Sequence, residues 1–509
     1  MSRSPSRPGP LLVALCLAQT MLVLDVVVVT VALPAMRAGL GMAEADQQWI
    51  VTAYGLAYGG FMIVAGRAGD LYGHRRVLVT GLVAFTAASL LAGAAPNAPT
   101  LVAARAAQGL GAALVSPAAL ALLTTTFAEG PARNRALGIW GAVASGGVAA
   151  AGLVGGLLTD LLHWRAIFLV NLPVGLLAVG AVLALAPAAR PARAARPDLA
   201  GAALLTSGAV LLAMGLSGAA LPLAAAPVLL AAFWAVQLRR DRRGADPLVK
   251  PALLANAHVR HGNLICAFTA SAALVTQYFG TLYLQNAAGL SPLGTGLVFA
   301  PVTLVIVLIS GRAAGLMARF GARALLLGGA AVTALGLVLL ALAPAFGGGW
   351  AMALPGLLLS GAGSGLSFAP SMAVATTGVA DDDQGLASGL LNTAFQLGAP
   401  LGLAATSAVA VAAAGPDAPA DGYRAAFWAA LALPALAAVM TAALPRPASA
   451  GTPVAPDRRA ARRPGLPPVV GDAPDSPGGG FPTPNGVLPP MRRGLRNGVI
   501  EPWRTFRRR

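Results

Sequence analysis

The chain has 509 residues, of which 57% are hydrophobic and only 10% are charged, whereas soluble domains carry roughly 25% charged residues. This balance excludes an ordinary soluble protein and predicts that much of the apolar surface faces lipid. The formal net charge of +17 would favour nucleic acid as a partner of a soluble protein. Here the arginines fall in alternate loops between apolar runs, which is typical of membrane topology, so we expect no nucleic-acid partner.

Apolar runs of about 20 residues recur from Leu11 to Leu444, and each is long enough to cross a ~30 Å hydrocarbon layer as a helix. We therefore predict an all-α polytopic membrane protein with about fourteen transmembrane helices. The predicted spans are 11–33, 48–65, 77–95, 100–124, 137–158, 166–187, 199–217, 221–238, 264–286, 292–312, 324–343, 350–374, 386–414 and 425–444.

The distribution of basic residues predicts the orientation of the chain. If the N-terminus is cytoplasmic, the predicted outer loops hold only Arg37, Arg165 and Arg424, and the remaining loop arginines and Lys250 lie inside. Cytoplasmic loops retain Lys and Arg, so we expect a multi-pass protein of the cell inner (plasma) membrane with both termini in the cytoplasm.

Spans 199–217 and 221–238 are joined by a very short apolar loop and flanked by basic segments, which predicts a hairpin inserted between two six-helix bundles. An interfacial hairpin is the weaker alternative, because neither segment has a strongly charged face. The predicted organisation is a cytoplasmic N-terminus (1–10), an N-terminal six-helix bundle (11–187), the transmembrane hairpin with cytoplasmic linkers (188–263), a C-terminal six-helix bundle (264–444) and a disordered basic Pro/Arg-rich tail (445–509).

Two segments with similar glycine spacing indicate that the halves are internal repeats, as in many transporters. They are "GLGAALVSPAAL" from Gly109 and "GAGSGLSFAPSM" from Gly361.

Two opposite charges lie inside predicted spans. Arg105 is in an apolar helix, where a charge costs roughly 2.5 to 3.5 kcal/mol at the helix centre, so it requires a partner, a water-filled cavity or an interface to which it can extend. Asp25 is the only acidic residue inside a predicted span. Desolvation favours its neutral form unless Arg105 or a bound cation stabilises the charge. Proton coupling and a fixed structural Asp25–Arg105 pair both remain open.

Several other residues carry weaker signals. In span five, Gly147, Gly152, Gly155 and Gly156 permit close helix packing. Four polar residues in apolar spans are candidates for a substrate cavity, with interhelical hydrogen bonding as the alternative; they are Gln277, Tyr278, Asn392 and Gln396. We interpret three residues near the start of span six as interface anchors rather than ligands; they are Trp164, Arg165 and Asn171.

The residues also argue against two other classes of protein. A phosphate-binding loop ends in Gly-Lys-Ser/Thr, but the single lysine, Lys250, follows Val249, so an ATP-driven pump of that type is excluded. His, Cys and acidic residues do not cluster as a metal or acid–base site requires, so we predict neither an enzyme nor a metal centre. The acidic run 381–383 is more typical of a solvated loop or helix cap.

The segment "GRAGDLYGHRR", residues 66–76, lies between spans two and three on the predicted cytoplasmic side. Its glycines allow a tight turn and close helix approach, and Asp70 can pair with the arginines or lie at a helix N-terminus. An ordinary basic loop is the alternative.

Four further N-terminal segments occur in order: "LDVVVVTVALP" (24–34), "RAAQGLGAA" (105–113), "GGVAAAGLVGG" (146–156) and "WRAIFLVNLPVG" (164–175). With "GRAGDLYGHRR", and with "YLQNAAGLSPLGTGLVFAP" (283–301) and "GLASGLLNTAFQLGAPLG" (385–402), they resemble the major facilitator superfamily, specifically its fourteen-span drug:proton antiporter branch of the multidrug efflux type. The resemblance covers about residues 11–444.

This resemblance implies alternating access and the proton gradient as energy source, without a cofactor. It implies that the loop after span two is a conformational latch and that Arg105 takes part in proton coupling. The latch residues are Gly66, Gly69, Asp70, Gly73, Arg75 and Arg76. The expected function is export of lipophilic or cationic drugs, or of a related secreted metabolite, by a monomer in the lipid bilayer, which would give antibiotic resistance. A uniporter, channel or importer of a small organic solute is the alternative.

Overall fold

The computed structural model describes residues 8–187, 198–245, 247–346, 349–380, 383–414 and 419–445. These residues form α-helices, a π-helical segment (Tyr283–Ala287) and a 3₁₀ segment (Ala343–Phe346), joined by short turns. The helices are α1 (Pro8–Leu40), α2 (Gln48–Tyr72), α3 (His74–Gly93), α4 (Ala98–Thr126), α5 (Pro131–Leu161), α6 (Ala166–Leu169), α7 (Asn171–Leu185), α8 (Leu199–Leu216), α9 (Ala220–Arg242), α10 (Pro251–Ala255), α11 (Ala257–Leu282), α12 (Pro292–Phe320), α13 (Ala322–Leu342), α14 (Trp350–Ala375), α15 (Gln384–Ala413), α16 (Pro419–Ala430) and α17 (Ala432–Ala442).

Thirteen helical stretches in the described part of the chain are long and apolar enough to cross a membrane. Two of them combine shorter helices: α6 with α7, and α16 with α17. The remaining predicted span falls on α5, which has 31 residues and contains the apolar segment Ala150–Leu161. The prediction of an all-α polytopic membrane protein is therefore confirmed.

The helices extend beyond the apolar runs from which they were predicted. Helix α1, for example, continues to Leu40, so Arg37 lies in its last turn rather than in a loop. A helix satisfies its own backbone hydrogen bonds outside the hydrocarbon layer as well as inside it, so hydropathy locates spans but not helix ends. The predicted tail, the segment 188–197 of the first linker and Asp381 and Asp382 of the acidic run lie outside the described residues.

The two halves repeat the same helix contacts. Gly109 of α4 packs against α2 and Gly111 against α3, while Gly361 of α14 packs against α12 and Gly363 against α13. Equivalent glycines thus face equivalent helices. The similar glycine spacing of the two segments therefore corresponds to a structural repeat.

The hairpin of α8 and α9 lies beside the helices α2 and α15, one from each half. A cluster of buried side chains joins them: Leu56 of α2, Ala209 and Ala213 of α8 and Ala404 of α15. The hairpin therefore contacts both halves and is not confined to a membrane surface.

The halves also meet along α5 and α12. Two ends of the molecule are useful as reference points: the end with the α1–α2 loop is called the Glu44 end, and the end with the α2–α3 turn is called the Asp70 end. At the Glu44 end, Asp160 of α5 accepts a hydrogen bond from the backbone amide of Leu293 in α12 at 3.0 Å.

Candidate functional site

A buried ion pair joins α1 and α4. The Nη1 atom of Arg105 contacts Oδ2 of Asp25, and the two residues are only 1% and 2% exposed. Arg105 therefore has an internal partner and does not extend to an interface. The structure brings together the two residues singled out for proton coupling, in the same geometry that a purely structural pair would require.

The carboxylate of Asp25 accepts hydrogen bonds from two further side chains. Nε2 of Gln108 and Nδ2 of Asn171 each lie 3.1 Å from its Oδ1 atom. Gln108 also donates to Oγ of Ser89 at 2.8 Å. Residues from α1, α3, α4 and α7 therefore form one polar cluster, in which Arg105, Gln108 and Asn171 all donate to Asp25.

The guanidinium of Arg105 makes further hydrogen bonds and contacts an aromatic ring. Its Nε donates to the backbone oxygen of Ile50 in α2 at 3.0 Å, and its Nη1 to Oε1 of Gln108 at 2.9 Å. Its central carbon lies 4.4 Å from the centre of the Tyr54 ring, within the range of a cation–π interaction. A charge at this depth is tolerated because hydrogen bonds and the ring replace its hydration.

Sequence reasoning missed three members of this cluster. Gln108 lies three residues after Arg105, on the same helix face, and this spacing could have identified it. No pattern in the sequence distinguished Ser89 from the other serines in apolar spans. Asn171 was interpreted as an interface anchor, which is wrong because the residue is only 4% exposed and binds Asp25.

The other two expected anchors, Trp164 and Arg165, also have partners within the protein. Trp164 is buried, since it packs against Gly39 of α1. Arg165 donates to the backbone oxygen of Ala95 at 2.9 Å and stacks on Trp164.

The predicted latch segment forms the turn between α2 and α3. Gly73 has φ of +90°, a conformation that favours glycine, and it separates the two helices. Asp70 lies in the last turns of α2, not at a helix N-terminus, and its Oδ1 is 3.4 Å from Nε2 of His74. The expected pairing with the arginines is therefore corrected: Arg75 donates instead to the backbone oxygen of Leu183 at 2.5 Å, and Arg76 is exposed.

The three latch glycines have different surroundings. At Gly69, a Cβ atom would collide with the His74 ring, so glycine allows the Asp70–His74 contact. At Gly66, a Cβ atom would lie 3.9 Å from Pro117, which is an ordinary contact. Close approach is thus required at Gly69 and not at Gly66.

The four glycines of α5 also differ in how closely a neighbouring helix approaches them. A Cβ atom at Gly155 would lie 2.9 Å from Cα of Val28 in α1, and one at Gly156 would lie 2.6 Å from Cα of Leu293 in α12. At Gly147 and Gly152 the nearest atoms are 3.6 Å away. The first pair therefore holds α5 against both neighbours, whereas the second pair has room for a methyl group.

A cavity of about 110 Å³ lies between the halves and is called the main cavity. Its walls come from α1, α5, α11, α12 and α14, and its polar side chains are Thr276, Gln277, Thr303, Ser360 and Ser364. It is smaller than the ~300 Å³ that drug-sized ligands occupy, so such a ligand would need the surrounding helices to move apart.

The four predicted cavity residues do not share one cavity. Gln277 lines the main cavity, but Tyr278 lines a different one at the Glu44 end. Asn392 is exposed, and its amide donates to the backbone oxygen of Ser388 in its own helix. Gln396 packs against Gly59 of α2. The main cavity's other polar residues, all Ser or Thr, gave no signal because these residues are common in apolar spans.

The sequence model described as the Major Facilitator Superfamily matches residues 15–403 and 264–509. The chain belongs to this superfamily. A cephamycin export protein from Amycolatopsis lactamdurans is 42% identical over 409 residues, which is 77% of this chain and 83% of that protein. A puromycin resistance protein from Streptomyces alboniger is 39% identical over 411 residues, which is 79% of this chain and 82% of that protein.

Solved structures show the same fold. The POT family transporter PepTSo matches with a TM-score of 0.65 and 14% identity, covering 87% of this chain and 97% of that one. A bacterial homologue of the human lysosomal transporter Spinster matches with a TM-score of 0.63 and 17% identity, covering 86% and 97%. This superfamily member is therefore a multi-pass membrane protein and a secondary transporter of small molecules.

Proposed function

We propose that this transporter exports small lipophilic or cationic molecules, of the antibiotic or secreted-metabolite class, in exchange for protons. Its relatives include a cephamycin export protein and a puromycin resistance protein, which supports export and this class of substrate. The proton gradient supplies the energy. The protein acts as a monomer in the plasma membrane, with both termini and the Asp70 end in the cytoplasm.

The observation that carries the proton coupling is the buried pair of Asp25 and Arg105. Asp25 lies on α1, and Val27 and Val31 of the same helix line the main cavity. One helix therefore connects a titratable carboxylate with the space in which a substrate can bind. Intramembrane acids of this kind mark proton relays in many pumps and transporters.

Protonation of Asp25 would remove the negative charge that Arg105 faces. Leaving one member of a buried pair without its partner costs about 3–5 kcal/mol, so the protonated protein would favour a different arrangement of α1 and α4. A ligand in the main cavity would favour one of the two arrangements, and by linkage it would change proton affinity by the same factor. Combined with alternating access, this reciprocity couples export of the ligand to entry of protons.

In the same scheme, the turn of residues 66–76 acts as the latch at the cytoplasmic end. Gly73 forms the turn between the two helices. Asp70 contacts His74 within the segment, and Arg75 donates a hydrogen bond to the backbone of α7, as already described.

The test uses everted membrane vesicles in which puromycin or a cephamycin is added after a pH gradient has been imposed. We expect substrate-driven proton flux with the native protein, its loss in Asp25→Asn, and partial retention in Asp25→Glu. Glu129→Gln is the matched control, because Glu129 is an exposed carboxylate whose ion pair among the described residues is with nearby Arg133. Membrane levels and thermal unfolding are measured for each variant.

Full proton flux in Asp25→Asn would overturn the coupling role. A variant that loses flux only in proportion to lost membrane protein would show that the pair is structural. Substrate movement without proton flux in the native protein would favour a uniporter or channel.

A further inference from the structure

A second cavity, of about 120 Å³, lies at the Glu44 end and is called the Glu44 cavity. Its walls come from both halves of the fold. Glu44 and Gln47 belong to the loop between α1 and α2, whereas Tyr278, Ser407 and Tyr423 belong to α11, α15 and α16. The proposed proton pair and the main cavity do not include these side chains.

The Glu44 cavity contains polar atoms without partners. Gln47 is fully buried; its amide nitrogen lies beside the Tyr278 hydroxyl, and its amide oxygen makes no hydrogen bond within the described residues. The hydroxyl of Ser407, also buried, has no partner there either. Buried polar atoms are normally paired with protein or with an occupant, so these atoms point to a ligand.

The lining of the cavity includes one acidic side chain. Among the described residues that line the cavity, this is Glu44. Its Oε1 accepts a hydrogen bond from the Tyr423 hydroxyl at 3.0 Å, and its Oε2 lies 3.0 Å from Nη1 of Arg37, which is not part of the lining. A carboxylate has about four acceptor positions, so Glu44 can accept a further donor from inside the cavity.

Aromatic side chains form much of the remaining wall: Tyr278, Phe279 and Tyr423. Phe279 lies 5.1 Å from Tyr278 and 6.4 Å from Tyr423, measured between ring centres. Aromatic faces attract cations. Acceptors and rings together therefore favour a positive ligand over a neutral or negative one.

We propose that the Glu44 cavity is a binding site for a small primary ammonium ion. Such an ion presents three N–H donors, and the cavity offers three oxygen acceptors on Glu44, Gln47 and Ser407. The apolar part of the ligand packs against the aromatic rings. The small volume limits the site to short amines and separates it from sites for whole drug molecules.

Occupation has a conformational consequence, because the acceptors belong to both halves. Glu44 and Gln47 lie on one side and Ser407 on the other, so a bound ion links them. The ligand stabilises the arrangement in which the Glu44 end is closed. It acts on the state of the transporter without occupying the main cavity.

The test is butylammonium binding to the purified full chain, measured by calorimetry, with 1-butanol as the uncharged analogue. We expect saturable binding of butylammonium only. Glu44→Gln and Gln47→Leu each weaken it at least tenfold, and the control Glu129→Gln leaves it unchanged. Arg37→Gln strengthens it several-fold, because Glu44 then loses its competing cation. This increase is not expected if the residues only support the fold.

Several results would overturn the site: absence of saturable binding, equal binding of 1-butanol, undiminished binding in both Glu44→Gln and Gln47→Leu, or weaker binding in Arg37→Gln. Closure is measured with spin labels on Ala43→Cys and Asp421→Cys, two exposed positions on opposite halves, in a Cys16→Ala, Cys266→Ala background. Butylammonium should increase the population with the shorter distance, and an unchanged distribution would refute closure. Neither measurement needs a proton gradient, so it is independent of the coupling proposal.

Discussion

The two lines along which the halves meet are closed in different ways. Along α2 and α15, the α8–α9 hairpin packs against both helices and adds a third layer; for example, Gly60 of α2 contacts Thr206 of α8. Along α5 and α12, the helices face each other directly through Gly152 and Gly296. The first line is called the covered seam and the second the open seam.

The contacts described for the open seam lie toward one of its ends. Its contacts at Gly152, Gly156 and Asp160 all lie toward the Glu44 end. Toward the Asp70 end, a Cβ atom at Gly141 of α5 or Gly311 of α12 would meet nothing within 4 Å. Neither glycine therefore brings the two helices together at that end, and Gly152 lies in the lining of the main cavity.

The covered seam is tied at the Asp70 end by the linker that follows α9. Nη2 of Arg67 in α2 donates to the backbone oxygen of Pro247 at 2.6 Å, and Nζ of Lys250 contacts Oδ1 of Asp383, next to α15, at 2.5 Å. Buried Gln237 of α9 accepts a hydrogen bond from the amide of Leu248 at 2.7 Å. The comparison indicates that the hairpin and linker restrain the covered seam at the Asp70 end, whereas the contacts described for the open seam lie toward the Glu44 end.

The largest expected effect comes from Gly296→Ala in the open seam. A Cβ atom at Gly296 would collide with the backbone oxygen of Gly152, so α5 and α12 could not approach at the Glu44 end. We expect at least a tenfold loss of transport, equivalent to about 1.4 kcal/mol, at normal membrane level.

Gly311→Ala, in the same helix as Gly296, is the matched control, because a Cβ atom at Gly311 would meet nothing within 4 Å and Gly311 does not line the main cavity. Its initial efflux rate in vesicles should stay near the native value. Native rates in Gly296→Ala would show that closure of this seam is not needed for transport.

An intermediate effect is expected from the linker of the covered seam. Lys250 and Asp383 are both partly exposed, and such ion pairs contribute about 0.2–1 kcal/mol. Lys250→Gln or Asp383→Asn should therefore change the efflux rate by no more than roughly fivefold. The exchanged variant Lys250→Asp, Asp383→Lys should recover most of the rate.

Crosslinking between α2 and α15 checks the location of this effect. The crosslinking efficiency between α2 and α15 should change in Lys250→Gln and in Asp383→Asn, while the crosslinking efficiency between α5 and α12 stays at the native value. The opposite pattern would mean that the two seams are not independent.

Hydropathy and charge were sufficient to predict the spans, the hairpin and the two buried charges, because burial in lipid restricts each span to apolar residues. They were insufficient for contacts that depend on how helices are rotated. The three-residue spacing from Arg105 could have identified Gln108. Asn171, in contrast, contacts Asp25 only because α7 packs against α1. The linker contact of Lys250 with Asp383 joins residues far apart in sequence, and Gln277 and Tyr278, though adjacent, face different cavities.

The smallest expected effect concerns Asp160, which closes the open seam at its Glu44 end. Its carboxylate accepts the amide of Leu293 in the first turn of α12, where the helix leaves backbone donors unpaired and favours negative charge. Asp160 is exposed, so water and salt reduce its contribution to roughly 0.3–1 kcal/mol. Asp160→Asn keeps an acceptor but loses the charge, whereas Asp160→Ala loses both.

We therefore expect efflux rates to fall in the order native, Asp160→Asn, Asp160→Ala, with a total fall of no more than about fivefold, since each tenfold change requires about 1.4 kcal/mol. The difference between the native protein and Asp160→Asn should shrink as salt is raised, because screening removes only the charge-dependent part. The difference between Asp160→Asn and Asp160→Ala should persist, because it depends on the hydrogen bond. Equal rates in Asn and Ala variants, with a salt-independent loss, would mean that this carboxylate does not hold α12 against α5, and that the glycine contacts alone close the seam.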